Sequence, residues 1–68
     1  MKYTITVISK TEHDDIVANL KNTGRIDVGA YVTMFFYSDR SYAAVSNDQR
    51  EITIYGIGNK ILAAFETS

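Results

Sequence analysis

From Ala30 to Tyr37 the chain alternates between two sets of side chains. The even positions are Ala30, Val32, Met34 and Phe36; the odd positions are Tyr31, Thr33, Phe35 and Tyr37. A strand sends successive side chains to opposite faces, so this spacing predicts a strand with one apolar face and one phenol-bearing face. Ser38-Asp39-Arg40-Ser41 and Asn47-Asp48-Gln49-Arg50 are polar groups rich in turn formers. Read as loops, they divide the run from Val28 to Ile57 into a three-strand meander.

Loop length sets the register. A four-residue loop at 38–41 places Tyr37 opposite Tyr42, Phe35 opposite Ala44 and Thr33 opposite Ser46. A four-residue loop at 47–50 places Ser46 opposite Glu51, Ala44 opposite Thr53 and Tyr42 opposite Tyr55. One face then collects Ala30, Val32, Met34, Phe36, Ala43, Val45, Ile52 and Ile54, all apolar. The other collects Tyr31, Thr33, Phe35, Tyr37, Tyr42, Ala44, Ser46, Glu51, Thr53 and Tyr55. A slip of one residue in either hairpin would mix the sets, and this is the argument for the register.

The flanking segments complete the expected fold. Tyr3 to Ile8 alternates and is rich in β-branched residues, which predicts a strand. Thr11 is the expected N-cap of a helix over 12–22, with Asp14 three residues on and acidic residues in the first turn. Ile16, Val17 and Leu20 form its narrow apolar stripe, and Gly24 ends it. A stripe this narrow must lie on something, and the apolar face of the meander is the surface to hand. Arg25-Ile26-Asp27 reads as a connector. Lys60–Glu66 fits a helix through Ile61, Leu62 and Phe65, or a strand through Ile61, Ala63 and Phe65; Asn59 as a cap favours helix. The sum is a single domain over 1–68 of α+β class: a two-layer, small, mostly antiparallel sheet, β-α-β-β-β followed by a short C-terminal helix or strand, with the helix packed on one face.

Composition narrows the function. One core of this size supplies only ~3–5 kcal/mol, and small scaffolds often add disulfides, metals or oligomerisation. The 68 residues include no cysteine and one histidine, so oligomerisation is the aid left open, and a homodimer is expected. Absence of cysteine fits a reducing compartment. The first eight residues are too short and too polar for a signal peptide, and no apolar run nears the ~20 residues that span a bilayer. A cytoplasmic location follows, with no membrane association. Seven basic and eight acidic residues give a formal charge of −1, which argues against binding nucleic acid mainly through phosphates.

No catalytic set stands out, and neither an enzyme nor a cofactor is expected. His13 has Ile16 and Val17 at helical offsets rather than further ligands, so it reads as a solvated first-turn side chain and not a metal site. Gly56-Ile57-Gly58 lacks the spacing and lysine of a phosphate loop and reads as a strand end that needs a flexible backbone. Asp39-Arg40 and Asp48-Gln49-Arg50 read as solvated turns at opposite ends of the sheet.

The tyrosine face is the candidate site. Tyr31, Phe35, Tyr37, Tyr42 and Tyr55 form its expected contact centre, with Arg40 and Arg50 at the rim, because aromatic residues and arginine concentrate at interface centres. The expected function is a non-enzymatic, homo-oligomeric protein that occupies a surface of another protein, such as a virus- or plasmid-encoded inhibitor or modulator of a host protein. The alternative is a small nucleotide- or single-stranded nucleic-acid-binding domain that stacks bases on the same rings.

Overall fold

The computed structural model describes residues 4–21 and 24–68. Tyr3 and Asn22, expected in the first strand and in the helix, lie outside the described residues. The described chain runs β1 (Ile5–Ile8), α1 (Lys10–Lys21), β2 (Arg25–Val28), β3 (Val32–Phe36), β4 (Tyr42–Ser46), β5 (Glu51–Tyr55), a 3-10 turn (Ile57–Asn59) and β6 (Ile61–Thr67). The strands form one sheet in the order β1-β6-β5-β4-β3-β2. Only β1 and β6 pair in parallel; the other four pairings are antiparallel. The fold is the expected α+β class with one helix on one face.

The helix starts two residues earlier than Thr11 predicts. Ser9 is the cap: its Oγ accepts the Glu12 amide at 3.2 Å and donates to Glu12 Oε1 at 3.2 Å. Ser9-Lys10-Thr11-Glu12 is the better capping-box spacing. With this start, His13, Ile16, Val17 and Leu20 fall at i, i+3, i+4 and i+7 and share one face. That face meets a core of Phe35, Ala43, Val45 and Ile52, with Tyr37, Ile54 and Phe65 packed around it. Twelve residues make a marginal helix alone, so this burial is what keeps α1 formed.

Arg25-Ile26-Asp27 is a strand rather than a connector. With Val28 it pairs residue for residue with β3 and forms one edge of the sheet. Gly24 allows the approach: its φ is +103°, and a Cβ there would stand 2.2 Å from the Phe36 carbonyl oxygen. The β2–β3 connection is a two-residue turn, Ala30–Tyr31, closed by the Gly29 amide on the Val32 carbonyl at 2.9 Å. Ala30 and Tyr31 therefore sit in the turn and not in β3.

Of the two states open for 60–66, the structure has the strand. β6 fills the slot between β5 and β1. A register shift lies at Ile54/Tyr55: Ile54 pairs with Ala63 and Tyr55 with Ile61, leaving Leu62 as the extra residue of a bulge. The bulge interrupts the period-two pattern, which is why the segment also scans as a helix.

The β4–β5 hairpin has the expected register, with Tyr42 on Tyr55 and Ala44 on Thr53. The β3–β4 hairpin is one residue away from it: Phe36 pairs with Tyr42, Phe35 with Ala43 and Met34 with Ala44. The cause is a loop of three residues, Ser38-Asp39-Arg40, instead of four. The Tyr37 amide bonds to the Ser41 carbonyl at 3.0 Å, the Arg40 amide to the Tyr37 carbonyl at 3.2 Å, and Arg40 takes the left-handed conformation at φ 71°. The slip exchanges the faces of β3. Phe35 and Tyr37 lie under the helix, and Val32, Met34 and Phe36 join Tyr42, Ala44, Thr53 and Tyr55 on the opposite face.

Candidate functional site: the open face of the sheet

The face away from α1 carries no second layer among the described residues. Pairing sets its side chains in rows across the strands. The first row runs Arg25, Phe36, Tyr42, Tyr55, Ile61. The second runs Asp27, Met34, Ala44, Thr53, Ala64, Ile5. The far end carries Val32, Ser46, Glu51, Glu66 and Val7, with Glu51 paired directly against Glu66. Like charges placed opposite one another repel, so this end is a local acidic spot.

The first row is a stack. The rings of Tyr42 and Tyr55 lie 4.6 Å apart with planes 15° from parallel. Phe36 sits 6.0 Å from Tyr42 with a tilt of 33°, and the Arg25 guanidinium lies over the Phe36 ring at 4.9 Å. The Tyr42 hydroxyl donates to Asn59 Oδ1 at 2.8 Å, which anchors the row to the 3-10 turn. Each member holds its neighbour in place, so the row is ordered before anything binds.

The expected site residues separate. Tyr42 and Tyr55 are together on the open face. Phe35 is 2% exposed and belongs to the core, and Tyr37 is half-buried beside the helix; neither can reach a partner across the open face. Their removal follows directly from the one-residue slip of β3. Tyr31 is 85% exposed but stands in the β2–β3 turn, at the end opposite the stack. Arg40 is exposed in the β3–β4 turn at the aromatic end, and Arg50 is exposed at the other end beside Glu51. Phe36 and Arg25 are the residues the sequence pattern missed: Phe36 through the register, Arg25 because its strand went unseen.

His13 is not solvated. It is 2% exposed and lies on the buried face of α1, with Nδ1 3.4 Å from Asp14 Oδ1 and no hydrogen-bond partner at Nε2. It borders a cleft of about 350 Å³ between α1 and the β3–β4 side of the sheet, which Lys21, Thr33, Asn47 and Gln49 also line. Asn47 ties this region together: its Oδ1 accepts from Thr33 Oγ1 at 2.7 Å and its Nδ2 donates to the Gly29 carbonyl at 2.8 Å. Among the described residues no group of three or more histidine, aspartate or glutamate side chains gathers to hold a metal ion.

Among the described residues, three titratable groups are displaced. The Ser41 hydroxyl and amide on the Asp39 carboxylate, and the Ser46 hydroxyl on Asp48, hold both acids below the ordinary carboxylate range. Burial pushes the Tyr37 phenol up. The two acids stabilise turns and Tyr37 braces the helix, so none of the three belongs to the open face. No helix among the described residues is long and apolar enough to cross a membrane. No protein-family model, curated protein or solved structure matches the chain.

Proposed function

We propose that this chain is a non-enzymatic binding protein that occupies a surface of another protein through the open face of its sheet, as a modulator or inhibitor does. The observation that carries this reading is the row Arg25–Phe36–Tyr42–Tyr55 on a face that no second layer covers among the described residues. Aromatic rings and arginine dominate binding energy at interface centres. Rings already fixed by one another lose less rotamer freedom on association than isolated ones. The middle of the second row, Ala44, Thr53 and Ala64, is small and uncharged, so a partner can close on it without burying a charge there. Six strands at ~4.8 Å spacing and five residues at ~3.3 Å give a face of roughly 29 Å by 17 Å. That is room for one side of a small protein–protein interface.

The stack itself favours a protein over a base. A stacking platform must present ring faces outward. Here Tyr42 and Tyr55 cover one face of each other, and Phe36 flanks Tyr42 on the other side. Tyr42, flanked on both sides, has no ring face left for a base, which suits a protein surface better.

The test replaces Tyr42 and Tyr55 with serine. The wild-type chain is used to capture proteins from a host extract, and each captured protein is then purified and titrated against both forms. The reading requires a purified protein that binds the wild-type chain at least tenfold more tightly than a folded double variant. Equal affinity for both forms removes the open face as the contact. Saturable binding of single-stranded oligonucleotides at low salt, lost in the variant, supports base stacking instead.

A further inference from the structure

We infer that two copies of this chain pair edge to edge through β2, in one register, and extend the sheet across a twofold axis. This goes beyond the reading above and leaves the open face free. β2 is an edge strand in which all four residues are exposed. Edge strands invite pairing, and natural sheets usually blunt them with proline, bulges or inward charges. β2 carries no proline, bulge or inward charge: it is short, but it runs in unbroken register with β3, and its two charges, Arg25 and Asp27, stand on the open face. Ile26 and Val28, on the helix side of the sheet, are 47% and 72% exposed, so α1 leaves this edge uncovered.

The backbone is oriented for a partner. In an antiparallel ladder, alternate residues direct both N–H and C=O to the same side. The Gly29 amide bonds inward to Val32, so Asp27 and Arg25 also face β3. Ile26 and Val28 therefore direct their amides and carbonyls outward. A second β2, laid antiparallel about a twofold axis at Ile26, exchanges two hydrogen bonds between Ile26 and the partner's Ile26.

Charge then chooses the register. With Ile26 opposite its copy, Arg25 lies opposite the partner's Asp27, and Asp27 opposite the partner's Arg25. Both pairs fall on the open face, and the two isoleucines meet on the helix side. The nearest registers that keep the hydrogen bonds are two residues away. One sets Arg25 against the partner's Arg25, the other Asp27 against the partner's Asp27. Opposite charges directly across a ladder stabilise it and like charges destabilise it, so only the first register is favoured. β1, the other edge, reads Ile5-Thr6-Val7-Ile8 and offers no such charge pairing. The occupant of the β2 edge is thus a second copy of this chain, and the dimer runs each aromatic row into the partner's second row, so that the two open faces make one surface across the twofold axis.

Light scattering on the concentrated full chain tests this. The wild-type chain should give twice the monomer mass. Asp27→Arg, which sets two cations opposite each other at both sites, should weaken the dimer at least tenfold. Arg25→Asp combined with Asp27→Arg restores opposite charges and should restore the dimer. Amide hydrogen exchange on the wild-type chain is the second readout, and it depends on no variant folding. The Ile26 and Val28 amides should be protected in concentrated protein and exchange freely on dilution to monomer. A monomeric wild type at millimolar concentration, an undiminished dimer in Asp27→Arg, or free exchange at Ile26 in the concentrated protein overturns the inference. The Tyr42/Tyr55 serine variant should remain a dimer; loss of the dimer there would assign self-association to the face instead of the edge.

Discussion

The Tyr37 hydroxyl donates a hydrogen bond to the Leu20 carbonyl oxygen at 3.2 Å. Leu20 lies in the last turn of α1, where carbonyls have no partner within the helix. One phenol at the end of β3 thus closes the helix and fastens it to the sheet. Replacing Tyr37 with phenylalanine keeps the ring and removes this bond, and should lower stability by about 1 kcal/mol in urea denaturation. The same contact sets an alkaline limit. The folded-state pKa of Tyr37 lies above its ordinary value of 10.0 because burial disfavours the phenolate. Its contribution is complete below that value and is lost as pH rises through the folded pKa. In the phenylalanine variant the alkaline decline should be shallower.

Phe35 and Phe36 are neighbours with opposite environments, and they test the register of β3. Phe35 is in the core and Phe36 is on the open face. Phe35→Ala should cost ~3–5 kcal/mol, as large core truncations do. Phe36→Ala should cost less than half as much and should weaken partner binding. Denaturation midpoints of the two variants measure this directly. A larger loss for Phe36 would restore the register with a four-residue loop.

The two hairpin turns should loosen together in acid. Asp39 and Asp48 have folded-state pKa values below the ordinary 3.8, because serine hydroxyls and amides bond to their ionised forms. A depressed acid contributes stability above its unfolded pKa and loses it as pH falls through the folded value. Stability should therefore fall below about pH 4, and the double variant Asp39→Asn with Asp48→Asn should show a flatter acid limb. An equal slope in both proteins would place the acid sensitivity elsewhere.

The sequence pattern made the class, the meander and the Tyr42–Tyr55 pair legible, because hydrophobic alternation and polar loops carry those features. It failed where the backbone does something its residue types do not advertise. The β3–β4 loop puts arginine, not glycine or asparagine, in the left-handed position, so nothing in Ser38-Asp39-Arg40-Ser41 separates three loop residues from four. β2 is four residues long and carries two charges, which hid it between two glycines. The Leu62 bulge broke the alternation of β6. The cap at Ser9 was readable from its spacing to Glu12, and finding it would also have turned His13 inward.

The parallel pairing of β1 with β6 sets Ile5 beside Ala64, nearly the whole chain apart in sequence. On a ribosome, β1 emerges early, but its place in the sheet does not exist until Ile61–Thr67 has been made. Closure across so long a loop is slow compared with local hairpins. The β3–β4–β5 meander is then the natural early nucleus, and the N-terminal strand is the last piece to dock.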